Sequence, residues 1–203
     1  VLRRLGEQLP ALSLDNTPAG VSQTVYEIVT EVTGVTDPYA TEKEATNAEA
    51  LRALPALEEM VRSRPDPLKA AVHLAAAGNV VDLGIDHAFD IEADARAMLE
   101  REFAIDDTDA LRDELRPGVR LLYLGDNSGE IVFDRVFVDM LLEQGAQVTF
   151  TVKSGPVIND AMLADAQAAG IDRLCPVIET GSADIGVNWQ RCSDELRQAY
   201  DQA

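Results

Sequence analysis

Basic residues are scarce in this chain of 203 residues: 17 Lys and Arg stand against 36 Asp and Glu, a formal net charge of -19. That imbalance argues against nucleic acid and anionic membranes as partners, since both need a basic footprint. Lysine is scarcer still: only Lys43, Lys69 and Lys153 occur, and the other basic residues are arginines. An Asp-rich, Lys-poor surface is what salt adaptation or a GC-rich genome produces. In a chain that otherwise uses Arg, a lysine such as Lys153 beside a glycine-rich turn reads as a chosen point charge. The two cysteines, Cys175 and Cys192, lack C-x-x-C spacing and histidine neighbours. They make neither a zinc site nor a disulfide framework, and read as free, mostly buried thiols of a reducing compartment. There is no apolar run of membrane-spanning length and no basic-then-apolar leader, so the chain reads as soluble and cytoplasmic. No Ser-His-Asp arrangement, Walker lysine loop or GxGxxG occurs. His73 reads as a core or surface residue and His87 as a loop residue.

What is present is a 46% hydrophobic chain, able to bury a substantial core as one domain or a domain with a subdomain. The first half has helical periodicity. Thr17-Pro18, Asp37-Pro38 and Asp66-Pro67 each place a capping oxygen before a proline, which suits an N-cap and first helical position. Helices are predicted after the first, over 38–62 after the second with Pro55 as a kink or break, over 68–85 after the third, and over 91–103. From Arg120 the period changes to strand, turn, helix, repeated: strands over 120–124, 147–152 and 172–179, helices over 131–142 and 161–169. Short connections with helices between strands imply parallel pairing and right-handed crossovers. Pro117-Gly118 marks the boundary. The fold class is therefore α/β: a helical subdomain (1–116), then a Rossmann-like three-layer core with a mostly parallel sheet (117–203). Trp189 to Ala203 reads as a final helix. Three strands make a small sheet, so more are expected beyond Ala203.

Two strand-to-helix turns concentrate the polar chemistry. The first is Gly125-Asp126-Asn127-Ser128-Gly129-Glu130, and the second is Lys153-Ser154-Gly155-Pro156-Val157-Ile158-Asn159-Asp160. In an open parallel sheet such turns share the carboxyl edge, where ligands bind. Ser128 suffices to cap the following helix, which leaves Asp126 and Asn127 spare, and Asn159 relieves Asp160 of the same duty. Oxygen ligands without His or Cys point to Mg²⁺ or Mn²⁺, with Co²⁺ or Ni²⁺ as further candidates. Such an ion polarises a phosphoryl oxygen and lowers the pKa of a bound water. Lys153, with backbone groups of Ser154 and Gly155, is placed to hold a phosphate. In the helical half, Asn79, Asp82 and Asp86 share one helix face inside an apolar run, as a buried network or a site wall.

Gly125 to Asp134 (GDNSGEIVFD) resembles the signature of the DUF89 family, the damage-control phosphatases, in its archaeal and bacterial AF1104-like branch. Gly155-Pro156-Val157-Ile158-Asn159-Asp160 resembles the second motif of that family. Asp37-Pro38-Tyr39, with Lys43 and Asn47, and Gly78-Asn79-Val80-Val81-Asp82 resemble motifs of its helical half. The resemblance implies a metal-dependent phosphatase of small phosphorylated metabolites. It places the metal on Asp126, Asn127 and Asp160, and puts Lys153 where the family has a basic residue at the phosphate. The family's cysteine-containing N-terminal segment and its Lys-Gly…Asn-Tyr-Glu C-terminal segment have no counterpart in this chain, which therefore reads as cut short.

The leading expectation is thus a phosphomonoester hydrolase. Its catalytic residues are Asp126, Lys153 and Glu130, the last as a base or water ligand. Its ligand-binding residues are Ser154, Gly155, Asn79 and Asp82. The alternatives are a non-catalytic nucleotide or sugar-phosphate binder using the same crevice, and a structural fragment of a larger assembly.

Overall fold

The computed structural model describes residues 1–12, 17–81 and 90–203. Helices fill its first part: α1 (Leu2–Gln8), α2 (Pro18–Thr33), α3 (Ala40–Arg62), α4 (Pro67–Val81), α5 (Ile91–Leu99) and α6 (Thr108–Glu114). Two of the three proline starts work as caps. Thr17 Oγ1 accepts from the Gly20 N–H at 3.1 Å, and Asp66 Oδ1 from the Lys69 N–H at 3.1 Å. Asp37 instead accepts from the Tyr39 N–H at 3.0 Å, a local turn that delays α3 to Ala40.

Pro55 does not break α3. It deprives the helix of one hydrogen bond, and burial of its neighbours Leu54 and Leu57 holds the turn in place. The helix predicted over 91–103 stops at Leu99, and α6 went unanticipated because seven residues carry little periodicity. The far end of the helix predicted over 68–85 lies outside the described residues.

The sheet matches expectation closely. Strands β1 (Arg120–Leu124), β2 (Gln147–Val152) and β3 (Val177–Glu179) run parallel in the order β1-β2-β3, with Tyr123 opposite Phe150 and Phe150 opposite Val177. The crossovers are α7 (Glu130–Glu143) and α8 (Leu163–Ala169). β3 is shorter than predicted because Ile171–Arg173 closes into a 3-10 turn.

One continuous core joins Leu57, Val61 and Leu74 of α3 and α4 to Ile131, Phe133 and Val138 of α7 and to Val148 and Phe150 of β2. Full burial of a side chain such as Phe133 or Phe150 is worth about 1.5–3 kcal/mol. On the other sheet face, α9 (Asp194–Gln202) packs Leu196, with Cys192, against Ile178 and Leu122. Both cysteines are free and buried. Among the described residues no helix is long and apolar enough to cross a membrane.

Three elements are tied where the crossovers begin. Asn47 of α3 accepts the Gly129 N–H on Oδ1 at 2.7 Å and donates Nδ2 to Asp165 Oδ1 of α8 at 2.7 Å. The other Asp165 oxygen accepts the Met162 N–H at 2.8 Å, which caps α8. Asn47 and Asp165 are both buried, so no bulk water replaces a lost partner. Asn47→Ala strands the Gly129 donor and an Asp165 oxygen, each worth about 1–3 kcal/mol. Urea unfolding of this variant is expected to show a loss of about 2–4 kcal/mol. A loss below about 0.5 kcal/mol would mean that the clamp carries no stability.

Candidate functional site at the strand exits

β1 leaves the sheet at Gly125, where a Cβ would sit 2.4 Å from the Phe150 ring; any side chain there would push the turn off the sheet. The turn ends at Gly129, which has φ +83° and no room for a Cβ beside Thr46 Cγ2. The second turn folds back onto the first. Asn127 and Asp160 form an antiparallel bridge, the Ser128 N–H donates to Asn159 O at 2.9 Å, and the Ala161 N–H donates to Asp126 O at 2.7 Å. Ile158 has φ +46°, a left-handed conformation that a β-branched side chain resists, and it turns the chain immediately before Asn159 and Asp160. The two turns thus lie side by side, as the sequence pattern required of a shared crevice.

The side chains are arranged in two groups. On the first turn, the exposed Asp126 carboxylate makes no hydrogen bond or ion pair with the described residues. Asn127 donates Nδ2 to Glu130 Oε2 at 3.2 Å, which leaves its Oδ1 available to a ligand. Asn79 of α4 donates to the other Glu130 oxygen at 3.2 Å. That reach depends on Gly78, where a Cβ would stand 3.0 Å from Phe133 Cβ, so α4 can press onto α7. Burial raises the Glu130 pKa, the amides of Asn79 and Asn127 oppose the rise, and Asp126 adds to it.

One turn further along α7, burial pushes the Asp134 carboxyl up to about 8. The Tyr123 hydroxyl, donating to it at 2.6 Å, works against the shift, and the charges of Glu130 and Asp126 work with it. Burial, and then Asp134, raise the Tyr123 phenol in turn.

The second group surrounds Lys153, which is buried. Its ammonium donates to Asp184 O at 2.9 Å and Gly186 O at 2.5 Å, and lies 3.3 Å from Asp160 Oδ2. Those three partners match its three N–H donors. In this arrangement Lys153 neutralises Asp160 and pins the 184–186 loop, and the phosphate contact expected of it would replace one of these partners. At Ser154, expected beside the phosphate, the N–H donates to Ser182 O at 3.2 Å and the hydroxyl accepts from the Gly181 N–H at 2.6 Å.

Ser128 does not cap α7. Gly129 occupies that position without a side-chain cap, and the Ser128 hydroxyl is buried without a hydrogen-bond partner among the described residues. Gly155 stays at the mouth of the crevice, half-buried. Asp82 and Asp86, expected on the face of Asn79, lie outside the described residues.

The helical half contributes more than the motif suggested. Tyr26 of α2 lies near Tyr39 and Asp160: burial, then Tyr39, then Asp160 raise its pKa. Lys43, buried, sits 2.6 Å from Asp37 Oδ2, a close ion pair off the axis of a hydrogen bond. Sequence reasoning assigned no role to Asp134, Tyr123 or Tyr26. A carboxylate four residues after Glu130 in an apolar helix was the available signal for Asp134, while nothing marked Tyr26. His73 is buried and stacked on Phe103 at 3.9 Å, away from the crevice.

Among the described residues no three His, Cys, Asp or Glu side chains are grouped to share one ion. The expected set of two carboxylates and one amide fits a hard cation by donor type, with water or substrate completing the shell.

The Asp134 shift sets a pH dependence. Above about pH 4 the unfolded chain releases this proton, whereas the fold retains it up to about pH 8. Stability contributed at this position therefore falls as pH rises through that window. Asp134→Asn, which cannot ionise, is expected to gain in melting temperature over the wild type from pH 5 to pH 8 in chelator, and to level off above. A difference that does not vary with pH would show that Asp134 holds no proton there.

Over residues 1–203 the chain matches the model of the damage-control phosphatase ARMT1-like domain. It is 34% identical over 191 residues to an uncharacterised protein of Methanocaldococcus jannaschii, across 92% of this chain and 63% of that protein. It is 33% identical over 190 residues to a damage-control phosphatase of Archaeoglobus fulgidus, across 91% and 65%. Damage-control phosphatase PH1575 of Pyrococcus horikoshii is 35% identical over 156 residues, across 72% and 54%. The crystal structure of a DUF89 family protein of P. horikoshii superposes on all of this chain and 71% of its own, with a TM-score of 0.90 and 28% identity. The chain thus spans 54–65% of the length of these curated relatives. A full-length family match, relatives at this identity and the shared α/β fold have one reading: the chain belongs to the damage-control phosphatase ARMT1-like (DUF89) family.

Proposed function

We propose that this chain is a metal-dependent phosphatase of small phosphorylated metabolites, with its centre in the crevice between the two strand-exit turns. The observation that carries the reading is the backbone bridge between Asn127 and Asp160, which brings Asp126, Asn127, Asp160 and Lys153 to one place. Two relatives carry the name damage-control phosphatase. Asp126, Asn127 and Asp160 would hold the cation, Mg²⁺ or Mn²⁺ by their oxygen chemistry. Bound there, it supplies Lewis-acid polarisation of a phosphoryl oxygen and a lowered pKa for water.

The protein groups divide the remaining work. Glu130 orients Asn127 by accepting its Nδ2, so that the amide oxygen faces the ligand. Lys153 offsets the charge of Asp160 and fixes the 184–186 loop. Lys153 and the backbone of the half-buried Gly155 would face a phosphoryl oxygen at the second turn. In hydrolysis a water oxygen bonds to phosphorus, the ester P–O bond breaks, and the proton lost by water ends on the departing alcohol. Glu130, with its pKa raised by burial, is the group suited to carry that proton.

The 203-residue chain is expected to hydrolyse p-nitrophenyl phosphate with Mg²⁺ or Mn²⁺ and to stop on chelation. Asp126→Ala should lower the rate by about a hundredfold or more. Activity that survives both chelation and Asp126→Ala, or no turnover with any of these ions, overturns the reading. Independently, Mn²⁺ is expected to raise the melting temperature progressively with its concentration, and Asp160→Ala to remove that rise. An undiminished rise in Asp160→Ala would take Asp160 out of the metal site.

A further inference from the structure

Beside the crevice lies a cleft of about 730 Å³ between the start of α2 and the 184–191 loop, lined among others by Gly20, Gln23, Asp184, Val187 and Trp189. Two of its lining residues have a buried oxygen acceptor without a hydrogen-bond partner among the described residues, Asp184 Oδ2 and Gln23 Oε1. Asp184 is only 6% exposed. Its other oxygen takes the Arg191 guanidinium at 2.8 Å, so its charge is matched while one oxygen stays empty-handed. A buried acceptor left this way costs free energy until a donor reaches it.

The cleft adjoins the crevice across Lys153, which binds the Asp184 and Gly186 carbonyls and the Asp160 carboxylate with one ammonium. α2 spans the same distance: Gln23 faces the cleft, and Tyr26, one helical turn on, lies near Asp160. The loop wall is preorganised. The Arg191 N–H donates to Asn188 O at 2.9 Å, Cys192 Sγ donates to Trp189 O at 3.1 Å, and the Trp189 ring stands edge-on to Tyr200 at 5.0 Å. Trp189 and Val187 remain 46% and 43% exposed, an apolar shelf at the mouth.

We propose that this cleft is the subsite for the organic part of the phosphate ester, with Gln23 Oε1 and Asp184 Oδ2 accepting hydrogen bonds from neutral donor groups, hydroxyl or amino, on the substrate. The assignment rests on the phosphatase reading of the adjacent crevice and extends it to substrate selection. Neutral donors fit better than a cation because Arg191 already matches the Asp184 charge. Gln23 and Asp184 are thus specificity determinants: they reward an ester that carries such donors over one of the same length without them.

A matched pair of esters isolates the effect: glycerol 1-phosphate carries two hydroxyls, and propyl phosphate has the same carbon chain with none. Calorimetric binding of both to the 203-residue chain is the first measurement, with Mn²⁺ present, and the ratio of kcat/KM values is the second. Glycerol 1-phosphate is expected to be favoured by about tenfold in both. Gln23→Leu and Asp184→Asn should each bring that ratio several-fold closer to one. Gln23→Leu leaves the Asp184–Arg191 pair intact, so it stands even where Asp184→Asn unfolds.

Equal affinity for the two esters in the wild type overturns the subsite, as does a ratio unchanged in both variants. A loss of the same factor for both esters also overturns it, since that is what a merely structural role produces. Failure of the underlying reading looks different. Neither ester is then turned over, and a donor preference that persists in binding keeps the subsite while removing the phosphatase.

Discussion

The site depends on one backbone pairing. Asn127 and Asp160 belong to different strand exits, and only the short ladder between 126–128 and 159–161 makes them neighbours. Everything polar nearby is arranged around that ladder. Gly125 lets the first turn leave the sheet against Phe150, Gly129 lets it enter α7 against Thr46, and the Ile158 bend returns the second turn to meet it. Asn47 then fastens the assembly to the helical half, binding the end of one turn and the start of α8 with a single amide. The energetic logic is that of buried polar satisfaction: each group is worth little when paired and much when stranded.

Around the ladder, charge is graded by burial. Asp126 is exposed, Glu130 is held by two amides, and Asp134 is deep enough to keep its proton to near pH 8. Glu130 and Asp134, one helical turn apart on α7, are thus both shifted upward by burial, with the deeper Asp134 the neutral partner of Tyr123. On the other side, the one buried lysine of the strand exits balances Asp160 and ties down a distant loop. The positive charge serves the architecture of the crevice first.

Much of the fold could be read from the chain. The edges of β1 and β2 follow from period-two apolar runs closed by glycine or lysine, and parallel order follows from helices of crossover length between them. The site was legible at the level of position: Asp126, Asn127 and Asp160 stand where strand-exit geometry places them. Partner assignment was not legible. The carbonyls of Asp184 and Gly186 that hold Lys153 have no side-chain signature in sequence. The N–H of Ser154 was lost to Ser182 for the same reason, and Pro55 was overridden by core packing of the helix around it.

The sequence by itself determined the element types, the α/β order and the residues able to do chemistry, because periodicity, caps and glycine turns are local. Tertiary structure alone decided which of those residues face one another and which are already engaged. It also decided that α2, with no motif of its own, brings Tyr26 near Asp160 and lines the neighbouring cleft with Gln23. Hydrogen-bond partners and burial arise from elements distant along the chain, and a side chain's protonation and availability are set by those partners rather than by its neighbours in sequence.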